Sequence, residues 1–351
     1  MAPVNFFRGT PAQVQPYYLN HWQGAKTGLP LLDVLRGDFF CLPFGAGNGY
    51  RGENHPPHGE TSNANWNFVE RRRQRGRVSL TLSLNPRARP GTVLKTIWLQ
   101  AGHNAVYLRH ELSGFSGRMC YSHHAILAVP EQAGSLRLST SPFRLAMVAP
   151  REELANAGNE YYSLKPGVRF ARLDQVPTIW NTREDCSTFP RRYGFMDLAA
   201  LYAGSAELPA WAAAVVPAGG FLWYALKDAA VLPQLQLWMD NGGRHAFPWN
   251  GRNRCLGLED GCAFFDKGLS ASVRANPVSR QGIPTSVRLS PRRPTVVNYI
   301  QGAARIPAGF DRVKSVSFAP GKVSFLAASG KQASAAVDWE LLRSGQQLAR
   351  A

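Results

Sequence analysis

Between Arg77 and Leu84 the apolar residues Val78, Leu80, Leu82 and Leu84 alternate with Ser79, Thr81 and Ser83. This alternation constrains the fold more than any other feature of the chain. Period two over a whole segment is the mark of a strand with one buried face. The pattern recurs. Val106, Leu108 and Leu112 alternate with Tyr107, Arg109 and Glu111, and similar runs lie near Leu136, Leu237, Val287 and Val323. The 25 Pro and 33 Gly fall between such runs as turn residues. Strand after strand with little helix predicts antiparallel pairing and an all-β fold, a sandwich or a barrel. The stretch from Leu208 to Leu226 is uncharged and near membrane-span length, but Pro209, Pro217 and Gly219-Gly220 break it. It reads as two buried strands and a turn.

A large core is available. Of the 351 residues 44% are hydrophobic, including 18 Phe, 11 Tyr and 9 Trp, which excludes a mostly disordered chain. Helical spacing is confined to 151–162 and to the end of the chain from Val337. No repeat or composition shift marks a boundary. The expectation is one domain, with an approach segment over 1–30, a β core over 31–330 and a helical tail over 331–351. Five cysteines without a C-x-x-C pair argue against a disulfide framework or a zinc ribbon. The start MAPVNFFRGT has no signal-peptide pattern. A reducing cytoplasm is the expected compartment, with no membrane contact.

The net charge is +17, from 40 cations, 32 of them Arg, against 23 Asp and Glu. Glu70–Arg77 reads ERRRQRGR, which raises nucleic-acid binding as one function class. No RNA-recognition, KH, helix-turn-helix or zinc-finger pattern accompanies it, so no nucleic-acid partner is expected. The plain reading of the run is a solvated turn. A second reading brings Arg71–Arg77 to a pocket rim, where guanidinium forks suit an anionic ligand.

Three places concentrate groups able to do chemistry. A Gly- and Pro-rich loop from Pro43 to Trp66 holds Arg51, Glu53, His55, His58 and Glu60. Loops on rigid scaffolds are where function concentrates. The H-P-P-H spacing of His55 and His58 admits a metal, although the stiff Pro-Pro favours a turn, and no metal or other cofactor is expected. His123 and His124 open an apolar run, either as a pocket lining or as satisfied core histidines. Glu259 stands among apolar residues, where a carboxylate must be paired, protonated or functional. Arg244, Arg252 and Arg254 are candidate ion-pair partners for it.

These residues, in this order, resemble the galactose mutarotase-like superfamily, which includes aldose 1-epimerases and hexose-6-phosphate epimerases. The resemblance covers about residues 35 to 330. It rests on His58-Gly59 followed by Trp66, on a histidine opening His-Ala-Ile-Leu, and on Leu256-Gly257-Leu258-Glu259 after a strand with Trp238. Ile126-Leu127 stand where that superfamily has aromatics, and Asp260 follows the glutamate in place of Pro or Thr, so the resemblance is to a divergent branch. The resemblance implies an antiparallel β-supersandwich with few short helices. It also implies a mutarotase without cofactor that interconverts the anomers of a small carbohydrate. Glu259 would be the base and His124 the acid; His123 stays open as the alternative. His58, Arg51, Trp66 and Asp240 would contact the sugar, with Trp249 a second candidate for the flat apolar face. The alternatives are a non-catalytic carbohydrate-binding protein on this scaffold and a polysaccharide lyase or hydrolase. A monomer or a homodimer suits either.

Overall fold

The computed structural model describes residues 27–33, 35–151 and 157–343. Two antiparallel sheets dominate. In the six-stranded sheet the spatial order is Asp38–Cys41, Tyr121–Ala128, Arg254–Cys262, Gln234–Asn241, Phe195–Ala203 and Phe143–Val148. The nine-stranded sheet runs Thr188–Phe189, Leu136–Thr140, Ala210–Val216, Phe221–Lys227, Thr295–Arg305, Ala105–Ser113, Thr92–Gln100, Arg77–Leu84 and Asn67–Gln74. Each sheet presents alternate side chains to a shared core. Leu108, Leu112, Val297 and Tyr299 from the larger sheet join Leu237, Leu256 and Leu258 from the smaller in one buried cluster. This is the expected all-β supersandwich. Among the described residues the α-helices Pro30–Asp33 and Gly268–Val273 are short.

A second core covers the other face of the larger sheet. The strands Val313–Ala319, Lys322–Ala327 and Gln332–Ala336 form a three-stranded sheet. Val323 and Phe325 from it pack with Tyr107, Trp98, Tyr224 and Leu226. Alternation alone assigns Tyr107 to the outward face of its strand. That face is covered, and Tyr107 is fully buried because the chain returns over it. The same return corrects the expected helical tail over 331–351 in its described part: Gln332–Ala336 is a strand, and Trp339–Arg343 is a 3-10 helix. Residues 344–351, most of the approach segment and 152–156 of the expected helix over 151–162 lie outside the described residues; of the rest of that helix, Ala157–Asn159 is a 3-10 turn and Glu160 forms a β-bridge with Arg244.

The segment from Leu208 forms two paired strands, Ala210–Val216 and Phe221–Lys227, joined through a 3-10 turn at Pro217–Gly219. Among the described residues no helix is long and apolar enough to cross a membrane. The five cysteines are free and buried.

Charge also enters the core. Lys227 of the larger sheet and Asp260 of the smaller form an ion pair with both side chains at most 5% exposed. Tyr299 donates its hydroxyl to the same carboxylate at 2.7 Å. The contact joins the strand that carries Glu259 to the opposite sheet.

The Arg-rich run falls on the free edge of the larger sheet. Asn67–Gln74 is exposed along nearly its whole length and pairs on one side only. Val78, the first apolar residue of the alternating run, is 44% exposed, because this end of the sheet outreaches the core. None of Arg71, Arg72, Arg73, Arg75 and Arg77 lines the cavity that His58, His124 and Glu259 share, which removes the pocket-rim reading for them. Cations on an exposed edge strand discourage pairing with other chains.

Candidate active site

His123 and His124 are neighbours in one strand, so they point to opposite faces of the six-stranded sheet. His123 enters the space between the sheets, where its ring stacks on Tyr299 at 4.2 Å. His124 faces a cavity of about 600 Å3 on the other side. Asp38, on the adjacent strand, serves both. One carboxylate oxygen is 3.1 Å from His123 Nδ1, and the other accepts the backbone N–H of His124 at 3.0 Å.

Register brings the remaining groups into a row. Phe39 pairs with His124, and Gln236 pairs with Glu259. The ladder from Cys255–Ala128 to Gly261–Ser122 sets Glu259 opposite His124. His124 Nε2 lies 3.4 Å from Glu259 Oε1. Gln236 donates its amide to Glu259 Oε2 at 2.6 Å, and the Phe39 ring stacks on His124 at 4.5 Å. Gly257 makes this arrangement possible. A Cβ there would come within 2.9 Å of Glu259 Oε1 and of Trp238 Cβ.

His58 reaches the same cavity from the loop, its ring 5.2 Å from that of His124. The following Gly59 has φ +74°, and a Cβ on it would meet the Leu42 carbonyl oxygen at 2.0 Å. Only glycine lets the chain turn so close to its neighbour. Ser62 and Asn63 brace the turn by donating to the carbonyls of His58 and Gly59 at 2.9 and 2.7 Å. Cys41 Sγ is 3.4 Å from His58 Nδ1.

The cavity shapes the electrostatics. Burial pushes the Glu259 carboxyl well above its ordinary range, and Asp266 adds to the effect against the Gln236 hydrogen bond. His124 is pushed well below the usual imidazole range by burial and by His58. His58 falls to about 4 through burial and the nearby Arg244. Burial therefore favours the neutral form of each partner, a carboxylic acid beside an unprotonated imidazole.

His58, His124, Glu259 and Trp249 all line the cavity; Arg51, Trp66 and Asp240 do not. Arg51 is exposed at the tip of the hairpin formed by Asn48–Tyr50 and Glu53–His55. Trp66 supports the loop from behind, donating its indole N–H to the Thr61 carbonyl at 3.1 Å, with Lys95 over its ring. Asp240 is buried under the loop 242–253. His55 pairs with Glu53 at 2.8 Å, so the two histidines of H-P-P-H serve separate partners. Among the described residues no group of three or more His, Cys, Asp or Glu could hold a metal. Arg244 pairs with Glu160 rather than Glu259.

Sequence reasoning missed Gln236, Arg151, Glu160 and Tyr162. The alternation of Gln234 and Gln236 with Leu235 and Leu237, two amides on one face of an otherwise apolar strand, was the available signal for Gln236. Arg151 and Arg244 line the cavity, and Glu160 bridges them at 3.2 and 2.8 Å. Each guanidinium also lies over an aromatic ring, Arg151 over Tyr162 at 4.9 Å and Arg244 over Trp249 at 4.6 Å.

The fold is shared with solved structures. A protein from Klebsiella pneumoniae, provisionally named an aldose 1-epimerase, matches with a TM-score of 0.53 and 16% identity, over 80% of this chain and 66% of its own. One from Escherichia coli K12 with the same provisional name matches with a TM-score of 0.52 and 12% identity, over 81% and 88%. A galactose mutarotase-like protein from Clostridium acetobutylicum matches with a TM-score of 0.50 and 10% identity, over 77% and 79%. No protein-family profile matches the chain, and no curated protein matches it in sequence. The chain has the galactose mutarotase-like fold, in a form far diverged in sequence from these structures.

Proposed function

We propose that the cavity opens and recloses the ring of an aldose, interconverting its anomers, with His124 and Glu259 as the acid–base pair and His58 as a substrate contact. The observation that carries this reading is the convergence of the three side chains in one cavity of this fold, with His124 and Glu259 in direct contact at 3.4 Å. Mutarotation needs a base for the anomeric hydroxyl and an acid for the ring oxygen, and no redox step. Two groups sharing one proton meet that need. Entering sugar hydroxyls donate to Glu259, restore the polar surroundings of a carboxylate and let the proton pass to His124. Glu259 then takes the anomeric proton while His124 protonates the ring oxygen, and the C–O bond breaks. The open-chain aldehyde is left beside the neutral pair, the state favoured by burial. Rotation about the adjacent C–C bond and the reverse transfers close the other anomer.

Trp238 and Trp249 offer apolar faces to the ring. The two arginines lining the cavity suit an anionic substituent, such as a phosphate or a carboxylate. Glu160 already neutralises part of their charge, so the preference is a matter for measurement. Polarimetry on a panel of neutral hexoses, their 6-phosphates and uronic acids tests both levels. Acceleration of at least one aldose above buffer is expected. Binding of a sugar without acceleration would instead make the protein a carbohydrate-binding module on this scaffold. In the accelerated reaction Glu259→Gln and His124→Ala should each lower the rate ~10²–10⁴-fold, with the fold retained by circular dichroism.

A further inference from the structure

The strand Gln234–Asn241 leads into the loop 242–253, which returns as Arg254–Cys262. This loop carries Arg244 and Trp249 to the cavity. Asp240 shares a sheet face with Gln236 and Trp238, yet it is 3% exposed because the loop lies over it. One of its carboxyl oxygens accepts the N–H of Gly243 at 2.9 Å, at the loop's start. The other lies 2.6 Å from the side-chain amide of Asn253, the loop's last residue. Asn253 is itself 1% exposed. A single side chain thus bonds both ends, beside backbone bonds from Gly242 to the Asn253 carbonyl and from Gly251 to the Arg244 carbonyl, both at 2.7 Å; the loop's start also meets the neighbouring segment, where Tyr161 N–H donates to the Gly243 carbonyl at 2.9 Å and His245 N–H to the Asn159 carbonyl at 2.8 Å. The seat is close. A Cβ on Gly243 would meet the Met196 nitrogen at 2.0 Å, so small displacements of the loop are resisted from below.

We propose that Asp240 is a latch, a positioning residue that seats loop 242–253 and through it places Arg244 and Trp249 over the substrate. The latch works with the carboxyl protonated. A 2.6 Å contact is short for N–H···O and ordinary for O–H···O. Turning the Asn253 amide over sets its oxygen, which is buried without a hydrogen-bond partner, against a carboxylic O–H. Burial pushes Asp240 up to about 7, Glu160 adds to this, and the Asn253 and Gly243 hydrogen bonds and Arg244 act against it. Cys255, opposite Asp240 in the ladder, is a buried thiol and brings no charge. A carboxyl raised in the folded state stabilises the closed loop fully below its ordinary value near 4. That contribution is lost as pH rises through about 7.

Hydrogen exchange by mass spectrometry on the full chain tests this without reference to any activity. After correction for intrinsic rates, loop 242–253 of the unaltered protein should exchange faster at about pH 8 than at about pH 6. Asp240→Ala should exchange fast at both. Asp240→Asn, which mimics the protonated carboxyl, should stay protected at both. Loop protection unchanged in Asp240→Ala overturns the proposal. So does Asp240→Asn behaving like Asp240→Ala, or a rise spread equally over Arg254–Cys262. A kinetic arm rests on the proposed reaction. There Asp240→Ala should raise KM ~10-fold with little change in kcat, and Arg244→Ala added to it should cost little more. Additive losses would show that Asp240 does not act through Arg244. If no aldose reacts, the exchange result still stands alone.

Discussion

Glu259 and His124 each occupy a place where their charged form is disfavoured, and they lie in contact at 3.4 Å. A buried carboxyl needs partners, and Glu259 has Gln236 and His124. From this follows a pH dependence. The proposed reaction needs one proton on the pair. On the acid side a second proton must enter His124, whose affinity for it lies well below the usual imidazole range. On the alkaline side Glu259 must lose its proton, and burial holds that well above the ordinary carboxyl range. The kcat/KM profile of the free enzyme should therefore be a broad plateau across neutral pH, with both limbs displaced outward. A profile that falls near pH 6.5 on the acid side would mean that His124 is not desolvated as described. At this scale the sequence was informative about Glu259, because a carboxylate in an apolar strand demands an explanation. It named Arg51, Trp66 and Asp240 as sugar contacts because their chemistry suits a sugar site, but the backbone directs their side chains away from the cavity.

Strands do the positioning. His123 and His124 cannot be ranked from composition, since both are buried and aromatic-lined. The alternation of one strand separates them once the pocket face is known, and the pairing of Phe39 with His124 and of Gln236 with Glu259 fixes which face that is. Glycine supplies the clearances. Gly257 stands two residues before Glu259 on the same face, and its missing Cβ is the space into which the carboxylate leans. Gly257→Ala should displace Glu259 and lower kcat ~10²-fold, while far-ultraviolet circular dichroism stays unchanged. Full activity in that variant would mean that the carboxylate position is not critical. Cross-strand register depends on turn lengths and on neighbours far along the chain, which is why the motif Leu-Gly-Leu-Glu was legible and its partner Gln236 was not.

Across the whole molecule, two cores share one large sheet, and a buried ion pair ties that sheet to the smaller one. Lys227→Met leaves Asp260 uncompensated between the sheets and should cost ~3–5 kcal/mol in denaturant unfolding. A loss below about 1 kcal/mol would show that Asp260 takes up a proton or water at little cost. Period two over many segments made the all-β class readable. The three-stranded sheet over Tyr107 was not, because alternation says which residues share a face but not what covers it. The net charge of +17 carried least information about the site. Its densest run guards a sheet edge, whereas the two arginines at the cavity stand alone in sequence, Arg151 after a strand and Arg244 in a loop.

The most direct test follows the exchange of anomeric protons at equilibrium by two-dimensional NMR, for the best aldose of the panel, with the unaltered protein and with Glu259→Gln. The expected result is rapid exchange between α and β anomers with the unaltered protein. Glu259→Gln should be slower by ~10²-fold or more, while still binding the sugar. Exchange at the same rate in both proteins would contradict the assignment of Glu259 and with it the acid–base account of this cavity.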